Sequence, residues 1–299
     1  MHHTPVLLKE VLHYLAPKPN QNFIDCTLGL GGHSKAILEK TAPVGKLLAI
    51  EQNAEGLHEA QKNLVKYKNR ITYINGNFAN LNEIVRDSNL KGFFGIFLDL
   101  GLASWQIDEG DLGISFQKDE PLDMRLEKTK NPSASLRAGQ KLKTKNLTAA
   151  DVINKYPLKK LADVLYQYGD IRNSYAIAKK IVNNREKSPI KTTFQLQEIL
   201  QTKNPKFLAP VFQALRIEVN NELNNLIKVL SQIAQLLKTG GRVVIISYHS
   251  GEDRIVKNYF RDNKETFKIL TKKPIIPSDE EIKQNSRSRS AKLRAFEKI

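Results

Sequence analysis

Apolar positions along the chain follow two rhythms. Near the N-terminus Val6, Leu7, Val11, Leu12 and Leu15 recur at helical spacing until Pro17 stops them. Short apolar runs suited to buried strands follow at 23–26, 46–50, 71–74 and 95–98, with helical patterns at 54–67 and 80–88. Such alternation predicts parallel strands joined by right-handed crossovers, an α/β domain. From about Asp111 the strand rhythm stops, and it does not return until Arg242. The interval carries helix signals instead: a capping box at Thr148-Ala-Ala-Asp151, the pattern Leu158, Leu161, Leu165, Tyr168 ended by Gly169, the trio Ala178, Ile181 and Val182, and an opening at Thr192-Thr-Phe-Gln195. Residues 111–208 are therefore read as an inserted all-helical domain, and 1–110 with 209–299 as the discontinuous sheet domain.

The sheet domain is predicted to resume with one long amphipathic helix over 212–237, a turn at 238–241 and an apolar strand at 242–247. Gln213, Arg216 and Asn220 share the polar side of that helix, facing either a crevice or water. The tail is read as an edge strand at 270–277, a polar and mobile stretch at 278–290, and a last strand at 291–296.

Within this frame the stretch Phe23-Ile-Asp-Cys-Thr-Leu-Gly-Leu-Gly-Gly-His-Ser34 reads as a strand running through a glycine loop into a helix capped by Ser34. Glycines there let the backbone turn tightly and approach a ligand where a Cβ would clash. The next strand ends in Glu51, twenty-two residues after Gly29, where an acid suits the hydroxyls of an adenosine ribose. Asp25, Glu51, Asn77-Phe78 and Asp99 all fall at carboxyl ends of predicted strands, where ligands of such sheets gather.

Charge changes the picture most. The chain of 299 residues has a formal net charge of +16, concentrated in residues 111–208, with 19 Lys and Arg against 10 Asp and Glu, and in 261–299, with 11 against 6. A polyanion such as nucleic acid is the expected partner, against the plainer reading of a solvated Lys-rich surface. The lone Cys26 excludes a disulfide framework and reads as a small buried hydrophobe. No apolar run is long enough to span a bilayer and the N-terminus lacks signal-peptide features, so a cytoplasmic protein without membrane contact is expected. The histidines lack metal-ligand spacing, so no metal is expected.

Several segments together resemble the bacterial 16S rRNA (cytosine-N4)-methyltransferases, the MraW or RsmH family. The resemblance covers nearly the whole chain. It rests on His3-Thr-Pro-Val-Leu-Leu, Thr27-Leu-Gly-Leu-Gly-Gly-His-Ser34, Asp99-Leu-Gly101 with Gln106-Ile-Asp108, Gly113-Ile-Ser-Phe116, Pro121-Leu-Asp-Met-Arg125, Phe212-Gln-Ala-Leu-Arg-Ile217, Val219-Asn220, His249-Ser250 and Glu252-Asp253-Arg254. It implies a class I S-adenosylmethionine-dependent methyltransferase, with a Rossmann-like doubly wound sheet and a helical insert, that methylates N4 of one cytidine in the decoding region of 16S rRNA in the small ribosomal subunit. The family's cofactor positions carry over to Gly31, Gly32, His33, Glu51, Phe78, Asp99 and Gln106. Departures from the family pattern are Glu51 for Asp, Ala103 for Ser, Leu112 for Arg, Tyr248 for Phe, Gly251 for Leu and Ser286 for Pro. Of these, Leu112 is the one expected to remove a substrate contact.

Methyl transfer to an exocyclic amine mainly requires that amine and methyl be held in line. An acceptor on N4–H helps, and Asp99, Asp123 and carbonyls near Leu100 are candidates, with Asp123 preferred for the substrate and Asp99 for the cofactor ammonium. Asp123 reads equally as a turn residue after Pro121. His249 is a second catalytic candidate, beside a capping box read as Ser250 with Asp253. Lys179, Lys180, Arg185, Arg216, Arg287 and Arg289 are the candidate RNA contacts. Two rival readings remain open at this level, an NAD-dependent oxidoreductase and a non-catalytic RNA-binding assembly factor, as does the choice between monomer and homodimer.

Overall fold

In the computed structural model, residues 5–102, 111–126 and 147–299 are described, and among them seven strands form one sheet. In chain order these are β1 (Asn22–Asp25), β2 (Leu47–Glu51), β3 (Ile71–Asn75), β4 (Phe93–Asp99), β5 (Leu237–Ser247), β6 (Phe267–Ile269) and β7 (Lys292–Lys298). Across the sheet they run β3-β2-β1-β4-β5-β7-β6. The first five are parallel, and β7 is antiparallel to both of its neighbours. The chain winds outward from β1 to β3 and then returns to β4 on the other side of β1. That reversal is the switch point where a doubly wound sheet opens a crevice.

Alternate residues of the central strands explain the double layer. Ile24, Leu48, Ile96, Val243 and Ile245 enter one buried cluster, with Leu81 and Val85, with Leu226, Leu230 and Ile233, and with Val256 and Phe260. Phe23, Leu47, Ala49, Phe97, Val244 and Ile246 enter another, with Val11 and Leu15, Ile37 and Leu38, and Ala60 and Leu64. Strands buried on both faces need continuous apolar runs, which is what the sequence shows at 46–50 and 242–247. This is a Rossmann-like, doubly wound α/β sheet with an antiparallel edge.

The chain separates into two compact units, one of Met1–Gly101 with Leu223–Ile299 and one of Leu102–Glu222. The helical unit thus ends later than the expected 208. Its last helix, Pro205–Asn220, buries Leu208, Val211, Phe212, Ala214 and Leu215 in a core shared with the helices Ala149–Lys155, Leu158–Gly169, Ser174–Arg185 and Thr193–Leu200. The single helix expected over 212–237 is two, because Asn221 adopts a left-handed conformation (φ 53°) that ends Pro205–Asn220 before Glu222–Leu236 begins. Asn tolerates that region better than most residues, and the Asn220-Asn221 pair was its signal.

Other boundaries shift for local reasons. β5 starts at Leu237, with Phe93 paired to Leu237 and Gly95 to Arg242, so the predicted turn at 238–241 is an irregularity within the strand. The regular edge strand is β6; the predicted strand at 270–277 contributes one bridge, Ile275 to Leu293. The stretch 278–290, expected to be mobile, holds a helix (Asp279–Gln284) and a 3-10 turn (Ser286–Ser290). Glu281 accepts the Leu7 N–H at 2.7 Å and Ser288 is fully buried, so the tail is tied to the N-terminal segment. Phe260 stacks on Phe296 and meets Phe267 edge-on, closing the antiparallel edge. Among the described residues no helix is long and apolar enough to cross a membrane.

Candidate cofactor site

At the switch point β1 ends in Asp25, which is wholly buried. Its Oδ1 accepts the Thr27 N–H at 3.0 Å and its Oδ2 the Ser34 hydroxyl at 2.6 Å. Burial raises the Asp25 pKa, and those two hydrogen bonds pull it back down. Thr27 Oγ1 in turn accepts the Asp99 N–H at 2.6 Å, so one carboxylate braces the loop and, through Thr27, the end of β4. Ser34 is therefore not a cap. The helix Gly32–Lys40 is preceded by Gly31 in a left-handed conformation (φ 87°), and Ser34 sits within its first turn.

The glycines of the loop serve different ends. A Cβ on Gly31 would stand 2.7 Å from Leu64, and one on Gly32 2.5 Å from Pro5, so both are glycine to fit the protein's own side chains. Gly29 (φ 53°) has nothing within 4 Å of where its Cβ would be, and it is the glycine whose backbone is open to a ligand. His33 is buried: its Nε2 lies 2.9 Å from the Val6 carbonyl oxygen and its ring packs on Phe97. Its side chain thus anchors the N-terminal segment, a contact that its expected place among the cofactor positions did not include.

Glu51, half-buried at the end of β2, accepts N–H groups from Gly29 (2.9 Å) and Asn53 (2.8 Å). Burial raises its pKa to about 7 against the pull of these bonds. A carboxylate offers about four lone-pair sites, so acceptor capacity remains for a ligand's hydroxyls. Beyond β3, the Asn77 side chain accepts the Ala79 N–H at 2.9 Å, and Phe78 lies half-buried at the rim of the core. Asp99, also half-buried, ends β4, and its own N–H donates to Thr27. Gln106 lies outside the described residues. The crevice thus offers backbone open at Gly29, an acid for hydroxyls, an aromatic wall and an acid for a cation, which fits a nucleoside bearing a charged amino-acid tail. Cys26 beside it is buried, its thiol pKa pushed up by desolvation, and it takes no part.

The helical unit keeps its charged motif residues for itself. Arg125 Nε and Nη2 donate to the two oxygens of Asp123 at 2.6 and 2.9 Å. Asn220 bridges this loop to its helix, donating to the Met124 carbonyl at 2.8 Å and accepting the Leu126 N–H at 2.9 Å. These contacts support the turn-and-brace reading of Asp123. Arg216 donates to both oxygens of Glu222 at 2.8 and 3.0 Å and is largely buried, so its charge is compensated internally. Arg185 donates one N–H to the Ile153 carbonyl. Lys179 is exposed and Lys180 half-buried on Ser174–Arg185, and Arg287 and Arg289 are exposed in the tail of the sheet unit. Leu112 is buried, so its side chain is a packing element.

His249 lies just after β5 and caps the helix Ser250–Asp262: its Nδ1 accepts the Glu252 N–H, and Glu252 Oε2 accepts the N–H of His249. The capping box is therefore His249 with Glu252, one residue earlier than the predicted Ser250 with Asp253. Asp253 instead accepts a bidentate pair from buried Arg294 of β7, at 2.6 and 3.1 Å. Histidine is an unusual cap, which is why the sequence pointed to Ser250. Asp25 was expected at the crevice from its strand end, but not its bracing of the loop through Thr27 and Ser34.

A family model described as the MraW methylase family matches residues 1–299. Two relatives called Ribosomal RNA small subunit methyltransferase H are similar from end to end. That of Desulfotalea psychrophila is 40% identical over 305 residues, covering 99% of this chain and 98% of the relative. That of Kosmotoga olearia is 41% identical over 308 residues, covering 99% and 97%. With the glycine crevice and its acids already fitted to such a cofactor, the chain belongs to the MraW methylase family and is a methyltransferase that uses S-adenosyl-L-methionine.

Proposed function

We propose that the protein methylates the exocyclic N4 of a cytidine in the decoding region of 16S rRNA, acting on the small ribosomal subunit in the cytoplasm. The observation that carries this reading is the pair of acids, Glu51 and Asp99, at the ends of β2 and β4 on either side of the Gly29 opening. It is joined by full-length similarity to proteins named for methylating small-subunit ribosomal RNA and by the net charge of +16.

When bound, the cofactor supplies an electrophilic methyl group on a sulfonium. Glu51 then accepts the ribose hydroxyls with its remaining lone pairs, and Asp99 holds the ammonium by a charge-assisted hydrogen bond. The loop amides, Phe78 and Gln106 complete the grip. Asp123 acts on the substrate as an acceptor that orients N4–H. Both of its oxygens already accept from Arg125, so its contribution is direction more than proton removal. The N4 amine is inaccessible in a stacked pair, so the nucleotide must be exposed or flipped while flanking phosphates are held. Lys179, Lys180, Arg287 and Arg289 supply that hold. His249 acts through the helix it caps. An oxidoreductase and a non-catalytic assembly factor fall away with membership of a methylase family.

Incubating small subunits with labelled S-adenosyl-L-methionine and mapping the modified nucleoside by mass spectrometry tests the proposal. Label in an N4-methylated cytidine of the decoding region is expected. Label elsewhere, or in protein only, contradicts it.

A further inference from the structure

The cofactor loop holds two hydroxyls, and they are engaged differently. Ser34 is wholly buried and spends its proton on Asp25 Oδ2 at 2.6 Å. Thr27 is half-buried where the loop leaves β1. Its Oγ1 accepts the Asp99 N–H at 2.6 Å, and its own N–H donates to Asp25 Oδ1 at 3.0 Å. With its oxygen engaged as an acceptor, the Thr27 hydroxyl keeps its O–H as a donor, and no described residue accepts it. Accepting one hydrogen bond also strengthens a hydroxyl as the donor of another.

Several amides of the loop are already spent. The Leu28 N–H donates to the Ile50 carbonyl, the Gly29 N–H to Glu51 Oε2 and the Gly31 N–H to the Leu28 carbonyl, each at 2.9 Å. Donors that remain for an anion include the Thr27 hydroxyl and the first amides of the helix Gly32–Lys40, whose start favours negative charge. The amino-acid end of S-adenosyl-L-methionine carries an ammonium and a carboxylate on one carbon. An ammonium at Asp99 therefore brings a carboxylate into the same neighbourhood, and the Thr27 side chain is bonded to the Asp99 backbone. Asp25 and Asp99 would repel that carboxylate, so a donor bonded to both residues offsets the repulsion.

We propose that the Thr27 hydroxyl binds the cofactor, donating to the carboxylate of its methionine moiety while Asp99 holds the ammonium. This rests on the assignment of Asp99 to that ammonium. Thr27→Val removes the hydroxyl and keeps the branched shape, whereas Thr27→Ser keeps the hydroxyl. S-adenosyl-L-methionine and its decarboxylated form share the ammonium and differ in the carboxylate. The pair therefore separates a direct contact of Thr27 from an effect transmitted through Asp99.

Calorimetry on the full chain, with circular dichroism to establish folding, reads both ligands. The preference of the parent for S-adenosyl-L-methionine over the decarboxylated form should shrink about tenfold in Thr27→Val, in line with loss of a hydrogen bond to a charged group. Thr27→Ser should keep the preference of the parent. Equal weakening for the two ligands in Thr27→Val leaves Thr27 only a bracing role and overturns the proposal. So does unchanged affinity for S-adenosyl-L-methionine, or a preference in Thr27→Ser as small as that in Thr27→Val. If Thr27→Val does not fold, Thr27→Ala carries the same comparison. If Asp99→Ala binds both ligands like the parent, the assignment of Asp99 fails and takes the proposal with it, whereas failure at Thr27 alone leaves Asp99→Ala weakened for both.

Discussion

Two glycine turns, one in each unit, look alike in sequence and differ in what surrounds them. Gly29 and Gly113 both adopt positive φ, 53° and 68°. Around Gly29 the missing Cβ faces open space, although its N–H too is held by a glutamate, Glu51, at 2.9 Å. At Gly113 the missing Cβ would run into the Pro121 carbonyl, and the Gly113 N–H is taken by Glu120 at 2.8 Å. Glu120 is itself pinned by Thr193, whose hydroxyl accepts the Glu120 N–H at 3.1 Å and donates to the Lys118 carbonyl at 2.6 Å. A motif glycine thus marks a ligand in one place and a tightly packed loop in the other. The contact partner, not the residue type, decides which.

The largest effect expected from this contrast is structural. Gly113→Ala should destabilise the protein by about 3 kcal/mol, the sum of a left-handed penalty and an overpacked contact, while affinity for S-adenosylhomocysteine is kept. Gly29→Ala carries only the left-handed penalty, about 1 kcal/mol, but should weaken the cofactor about tenfold because its methyl fills space the ligand needs. Denaturant unfolding and calorimetry on both variants check this. The contrast is broken if the two variants show the same ratio of stability loss to binding loss.

Acids of the two units should also respond differently. Asp123→Asn should leave cofactor affinity intact and lower turnover on small subunits by roughly tenfold, since the amide retains an acceptor but not the charge that orients N4–H. Unchanged turnover at saturating substrate would leave Asp123 only its bracing role with Arg125. For Glu51 the sign follows from its raised pKa. The folded protein holds a proton there that the unfolded chain gives up at about its usual 4.5, so this group's contribution to stability is full below 4.5 and lost as pH rises through about 7. Cofactor binding favours the anion, so affinity should improve several-fold from pH 6 to pH 8 with release of a proton. Titrations in buffers of different ionisation enthalpy read that proton, and Glu51→Gln should abolish its release.

The parallel sheet was legible because strands buried on both faces must be apolar throughout, and the helical caps at Thr148 and Thr192 were legible because capping boxes are local. Tertiary partners were not. Nothing near Arg216 in the sequence marks Glu222 as its bidentate partner, and nothing near Arg185 marks the Ile153 carbonyl. Both arginines therefore looked available for phosphate. The His249 cap was missed because histidine seldom caps a helix, and the break at Asn221 because the apolar spacing runs on across it. The acids at 51 and 99 could be placed at one crevice because strand ends converge by topology alone.

The smallest effect concerns the exposed charges. Changing Lys179, Lys180, Arg287 and Arg289 to Gln should raise the RNA dissociation constant and flatten its dependence on salt by about 0.7 for each phosphate no longer neutralised, with cofactor affinity unchanged. The same change at Arg216 should cost stability and leave the salt slope alone, because its charge is paired with Glu222 within the fold. An unaltered slope in the fourfold variant would reduce these charges to a solvated surface.

The central claim is that Asp99 at the end of β4 binds the cofactor. Calorimetric titration of S-adenosyl-L-methionine into the protein and into Asp99→Ala, with circular dichroism to establish that both are folded, tests it most directly. The expected result is loss of affinity by about 100-fold or more, the scale of a charge-assisted contact of up to about 3 kcal/mol, in a folded protein. Equal affinity in the two proteins would remove Asp99 from the site and contradict the account of the crevice.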